Sequence, residues 1–87
     1  VGGALMGIFF NQGQVCSASS RLYVHRSLFD EVTQAIAHAA EGMRIGSGFD
    51  PASQLGPLVS RRQFDRVLGF LEGAKREGAG VLTGGGA

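Results

Sequence analysis

The sequence predicts an α/β unit with a parallel sheet, and three observations carry that prediction. One stretch repeats apolar residues at alternating steps of three and four and another carries an apolar helical face, two short stretches are rich in β-forming residues, and glycine or proline punctuates the joints. The resulting order is helix, cysteine loop, strand, helix, loop, helix, strand.

Residues 1–10 are apolar nearly all round, which predicts a buried helix ending before Gly13. Arg21-Leu22-Tyr23-Val24-His25-Arg26 places Leu22 and Val24 on one face and predicts a strand. Ser27 is the expected N-cap of the next helix, with Asp30 and Glu31 in its first turn facing the positive end of the helix dipole. Phe29, Val32, Ile36, Ala39 and Met43 form one helical face, and the run from Gly42 to Gly46 ends it. Residues 45–59 contain Asp50-Pro51 and Gly56-Pro57, so an ordered loop is expected there. Ser60-Arg61-Arg62-Gln63 is a capping-box pattern that opens a further helix. Its apolar face is Phe64, Val67, Leu68, Leu71 and Ala74; Lys75, Arg76 and Glu77 face water, and Gly78 stops it. Residues 79–83 then read as a second short strand.

Composition narrows the function classes. The 87 residues, 44% hydrophobic, suit one small unit, and a chain of this size buries only about 60–65% of the surface that its unfolded form exposes. Such a unit is marginal alone. A net charge of +1 gives no reason to expect nucleic acid or an anionic membrane as partner. The apolar segment at the start is far short of the ~20 residues that span a bilayer. No basic stretch precedes it, so a signal peptide is not expected either. The 15 glycines gather at turns without a period. His25 and His38 are not spaced as metal ligands with any other residue, and no metal is assigned.

The single cysteine, Cys16, excludes an intrachain disulfide and suits a reducing compartment such as the cytoplasm. It follows a glycine turn and precedes Ser17, Ala18, Ser19 and Ser20. Small neighbours leave a thiol approachable and let backbone N–H groups point at what it attacks. By spacing alone two readings stand: a packed, inert thiol, the common fate of free cysteine, or a nucleophile. A free thiol of pKa near 8.5 is only a few per cent ionised at pH 7, so a nucleophile needs an activating environment. No charged residue lies within ten positions on the N-terminal side of Cys16, and the nearest on the other side is Arg21.

The wording of the stretch separates the two readings. Phe9-Phe10-Asn11-Gln12-Gly13-Gln14-Val15-Cys16-Ser17-Ala18 resembles the active-site cysteine signature of the aldehyde dehydrogenase superfamily, whose core reads Gly-Gln-x-Cys-x-Ala. Ser20-Arg21, Phe29-Asp30, Gly46-x-x-x-Asp50, Gly56-Pro57-Leu58-Val59, Gln63 and Gly84-Gly85-Gly86 resemble that family in the same order. The likeness covers essentially the whole chain.

The resemblance implies part of an aldehyde dehydrogenase catalytic domain over residues 1–87, without its cofactor-binding domain. Because the chain starts without methionine inside an expected helix, and family members are several times longer, it reads as a piece of a larger protein. By the same resemblance, Cys16 is the nucleophile that forms a thiohemiacetal and then a thioester, and its backbone N–H donates to the oxyanion. The second oxyanion donor and the general base are expected upstream. Glu31, Glu41, Glu72 and Glu77 match no catalytic motif, and Asn11 is a turn former. Phe10, Val15 and Ser17 fall at positions that line the aldehyde tunnel; for Phe10 the competing role is simply to end a core helix. Gln63 and Arg66 fall where the family places a glutamine and usually a lysine on a ribose of NAD or NADP. Arginine departs from that pattern, and Gln63 has a competing local duty to Ser60. The implied partners are a small aldehyde and further copies of the same chain, as a dimer or tetramer.

The stretches Gly42-Met43-Arg44-Ile45-Gly46 and Gly56-Pro57-Leu58-Val59-Ser60 are similar to those of bacterial members that oxidise aromatic aldehydes such as phenylacetaldehyde. Two other readings compete. One is a folded piece without activity of its own. The other is a papain-like cysteine hydrolase, for which Asn11-Gln12-Gly13 fits; there the cysteine lies farther past the glycine and a tryptophan follows, which this chain lacks.

Overall fold

The computed structural model describes residues 1–87 and is helical. It divides into two compact units, Val1–Pro57 and Leu58–Ala87.

The first unit opens with α1, Gly2–Phe9. The helix forms as the apolar run predicts, but it is not buried. Ala4, Leu5 and residues 7–9 are half-covered, and Met6 is 65% exposed. A helix apolar on every side needs neighbours on every side, and these 57 residues supply too few. At Phe10 the backbone leaves helical geometry (φ −54°, ψ 129°) and the chain turns toward the cysteine loop.

The expected strand over residues 21–26 does not form. No backbone hydrogen bond pairs residues 21–24 with another segment, and Leu22 and Tyr23 are 56% and 91% exposed. A strand exists only through its ladder, so β-propensity without a partner leaves an unpaired segment.

A single 3₁₀ turn, Arg26–Leu28, leads into α2, Phe29–Glu41. Ser27 is not the α-helix N-cap. It lies inside the 3₁₀ turn, where the His25 ring instead accepts from the Ser27 N–H at 3.2 Å and meets the Ser27 hydroxyl at 2.8 Å. The extra turn moves the α-helix start to Leu28, whose side chain caps nothing. Asp30 and Glu31 occupy the first turn as expected, and Val32, Ile36, Ala39 and Met43 are half-buried.

The loop after α2 is ordered by hydrogen bonds rather than by a core. Ile45 and Leu55 form an isolated parallel bridge, with the Gly46 N–H donating to the Leu55 carbonyl at 3.0 Å. The Arg44 carbonyl accepts from the N–H groups of Gln54 (2.7 Å) and Leu55 (3.1 Å). Its N–H donates to the Gln54 side chain at 3.0 Å, and its guanidinium donates to the Ala52 carbonyl at 2.6 Å. This bridge is the only sheet-like pairing.

In the second unit, α3 spans Arg61–Arg76. Ser60 is its N-cap and accepts from the Gln63 N–H at 3.1 Å. The reverse bond of a capping box, from the Gln63 side chain, is not made. Phe64, Val67, Leu68, Leu71 and Ala74 are the half-buried face, while Lys75, Arg76 and Glu77 are exposed. The helix closes with Gly78 in the left-handed region (φ +91°), its N–H on the Lys75 carbonyl (3.1 Å) and the Ala79 N–H on the Ala74 carbonyl (3.0 Å). This is a Schellman motif, and it needs a residue without a Cβ penalty there. Residues 79–83 form no strand, for want of a partner, as with residues 21–26.

Candidate active site

The cysteine loop begins with three successive left-handed residues: Asn11 (φ +51°), Gln12 (φ +57°) and Gly13 (φ +75°). For Gln12 this conformation costs roughly 1–2 kcal/mol, and for Asn11, whose short amide bonds locally, less. Gly13 bears no such cost, and a Cβ there would stand 3.1 Å from the Ile8 carbonyl oxygen. The segment is closed by the Gln14 N–H on the Asn11 carbonyl (3.0 Å) and the Asn11 side-chain amide on the Gln14 carbonyl (3.2 Å). Asn11 is thus the turn former that its residue type suggested.

A second turn follows at once. The Ala18 N–H donates to the Val15 carbonyl at 3.0 Å, which puts Cys16 and Ser17 at the two central positions. The Ser19 N–H then reaches back to the Gly7 carbonyl at 2.9 Å and satisfies an orphan acceptor in the last turn of α1. The loop therefore leaves α1 after Phe9 and is tied back to it at Ser19. Cys16 is exposed on the crest of this turn. Its backbone N–H enters no hydrogen bond within the chain.

Beside the crest lies a cleft of about 210 Å³, lined by Met6, Gly7, Phe10, Val15, Ser17 and Ala18. Phe10, Val15 and Ser17 come together there; Val15 and Ser17 are the chain neighbours of Cys16, whose own side chain is not part of the lining. Met6 and Gly7 join them because the loop folds back on α1, a long-range consequence that residue spacing does not disclose. Apart from the hydroxyl of Ser17, every side chain lining the cleft is apolar or absent.

Gln63 and Arg66 stand three residues apart on α3, in the second unit, so they share a helix face. The Gln63 side-chain amide makes no hydrogen bond within the chain, which leaves its donors and acceptor available. The Arg66 guanidinium is exposed and lies over the Phe70 ring, 5.8 Å from its centroid. Glu31, Glu41, Glu72 and Glu77 are all exposed. No group of three or more His, Cys, Asp or Glu side chains is arranged to hold a metal ion, and no helix is long and apolar enough to cross a membrane.

Known proteins share both the sequence and this geometry. The mitochondrial aldehyde dehydrogenase of Leishmania tarentolae is 49% identical over 78 residues, covering 90% of this chain and 16% of its own length. The betaine aldehyde dehydrogenase of Brucella anthropi is 43% identical over 86 residues, 99% of this chain and 18% of the relative. The solved structure of a Bacillus cereus aldehyde dehydrogenase in complex with NAD⁺ superposes with a TM-score of 0.94 at 44% identity, covering 97% of this chain and 17% of that one. The chain thus spans about a sixth of the length of the proteins it matches. The family model for the aldehyde dehydrogenase family matches residues 1–87 from end to end. With the full length matched by that family model and relatives more than 40% identical, this chain belongs to the aldehyde dehydrogenase family.

Proposed function

We propose that this chain is the nucleophile-bearing part of an NAD(P)-dependent aldehyde dehydrogenase and that Cys16 attacks the aldehyde carbon. The supporting observation is the exposed Cys16 on its turn, beside an apolar cleft, in a chain of this family.

The thiolate of Cys16 adds to the carbonyl carbon, forming a C–S bond and placing the electron pair on oxygen. The unengaged Cys16 N–H is a donor for that oxyanion. NAD(P), held through Gln63 and Arg66, would supply the hydride acceptor that this oxidation needs, and Cys16 would then carry the acyl group as a thioester. Water then cleaves the thioester, releasing a carboxylic acid and returning the thiol. By resemblance to the family, the base that activates this water is a glutamate from outside these 87 residues, and none of Glu31, Glu41, Glu72 and Glu77 borders the cleft.

Met6, Phe10 and Val15 give the cleft an apolar wall that suits an aldehyde with an aromatic or other apolar side chain, and Ser17 adds one polar contact. On α3, the free amide of Gln63 and the exposed guanidinium of Arg66 are hydrogen-bonding groups of the kind that hold a ribose hydroxyl, and they fit the cofactor in that role. The uncovered apolar faces support a further part of the proposal: residues 1–87 are part of a larger catalytic domain. There, residues 21–26 and 79–83 pair with parallel strands from outside the chain. A reducing compartment such as the cytoplasm, and a dimeric or tetrameric assembly, complete the proposal.

The test is turnover by the enzyme that carries this chain at its natural length. Cys16→Ser is expected to lower kcat at least about a thousandfold with cofactor affinity preserved. An unchanged kcat would remove Cys16 from the reaction. In the same assay, residues 1–87 alone are expected to produce no reduced cofactor.

A further inference from the structure

We propose that Gln12 is a positioning residue for Cys16, acting through a clamp onto the loop that follows α2, a role that presupposes Cys16 as the nucleophile. The three left-handed residues before Cys16 differ in what holds them. Gly13 has no side chain to strain, and Asn11 bonds locally to the Gln14 carbonyl at 3.2 Å. Gln12 has neither advantage. A long, unbranched side chain gives no intrinsic preference for φ +57°, so something outside the turn must hold it.

The Gln12 amide provides the link. Assigned by its hydrogen-bond neighbours, with the oxygen toward Gly56, the amide accepts from the Gly56 N–H at 2.7 Å and its nitrogen donates to the Asn11 carbonyl at 3.0 Å; the opposite orientation would set donor against donor and acceptor against acceptor. One side chain therefore ties the left-handed turn to a segment distant in sequence. That segment is itself fixed. Leu55, the residue before Gly56, bridges to Ile45, and Arg44 gathers Gln54, Leu55 and Ala52 by backbone and side-chain bonds.

Cys16 follows Gln12 by four residues, at the first central position of the next turn. Between them no regular helix or ladder absorbs a change of direction. Releasing Gln12 frees the pivot from which the thiol is aimed, while leaving Cys16, the cleft lining and α3 unaltered in composition. Reactions through a fixed nucleophile are sensitive to displacements of about 1 Å. Gln12 thus acts on the rate of attack rather than on cofactor binding.

The experiment compares Gln12→Ala, Gln12→Gly and Cys16→Ser in the natural-length enzyme, measuring kcat and the KM values for NAD⁺ and aldehyde. Gln12→Ala is expected to lower kcat about tenfold while the KM for NAD⁺ stays within about twofold. Gln12→Gly removes the left-handed strain and the clamp together, and it too is expected to stay about tenfold below wild type. Wild-type kcat in Gln12→Gly would overturn the proposal, because tolerance of the turn would then be all that position 12 supplies. So would wild-type kcat in both Gln12 variants, or a rise in the KM for NAD⁺ matching the fall in kcat. The Cys16→Ser arm separates the two levels. If it is inactive while the Gln12 variants match wild type, only the clamp falls; if it turns over normally, the nucleophile assignment falls and the clamp with it.

Discussion

Single side chains decide what α3 offers a ligand. Gln63 spends its backbone N–H on the Ser60 hydroxyl and keeps its side chain free, so helix capping and ligand binding do not compete at that residue. The competition expected from the sequence assumed a reciprocal capping box, and only half of the box forms. Arg66 stacks on Phe70, which steadies a guanidinium that is otherwise in water. In the natural-length enzyme, Arg66→Ala is therefore expected to raise the KM for cofactor about three- to tenfold, the worth of one exposed charge-assisted hydrogen bond, with the KM for aldehyde unchanged. Steady-state kinetics in both substrates check this, and equal changes in the two would make Arg66 structural. Cys16 was legible as the candidate nucleophile because its immediate neighbours carry the signal. Gln12 was not, since glutamine has no turn preference and its partner Gly56 lies far along the chain.

Within these 87 residues the expected helices form and the expected strands do not, for one physical reason. An α-helix closes its hydrogen bonds within itself, so apolar spacing and caps locate it from the sequence. α2 and α3 accordingly start at Phe29 and Arg61 and stop against glycine, close to where the pattern put them. Residues 21–26 and 79–83 carry β-propensity, but a ladder needs a second segment, which these 87 residues do not provide. Ser27 failed as a cap because a 3₁₀ turn, anchored by His25, intervenes. Ser60 succeeded. Its loss should be local: Ser60→Ala removes the acceptor of one orphan N–H at a cost of about 1 kcal/mol. Hydrogen exchange at the Gln63 amide is then expected to accelerate about fivefold, with the amides of α2 unaffected. No acceleration would mean that water replaces the hydroxyl without cost.

Taken whole, the chain exposes 6993 Å² and buries none of its residues, whereas a folded monomer of 9.1 kDa exposes about 4,900 Å². Phe49 is fully exposed, and Tyr23, Ile45, Val59 and Phe70 are each more than two-thirds exposed. Composition already indicated a unit marginal by itself, but not which faces would be left open; that depends on the path of the backbone. So little interior supports the proposal that Cys16 acts within a larger assembled enzyme. Its sharpest test is to mix that enzyme with NAD⁺ and an aromatic aldehyde, quench it in acid within the first turnover, digest it and weigh the peptide containing Cys16. The peptide is predicted to gain the mass of the acyl group bound as a thioester, and to lose it when the quench is delayed past hydrolysis. A first turnover that yields reduced cofactor while this peptide keeps its unmodified mass, with the acyl group found on another residue, would contradict the assignment of Cys16.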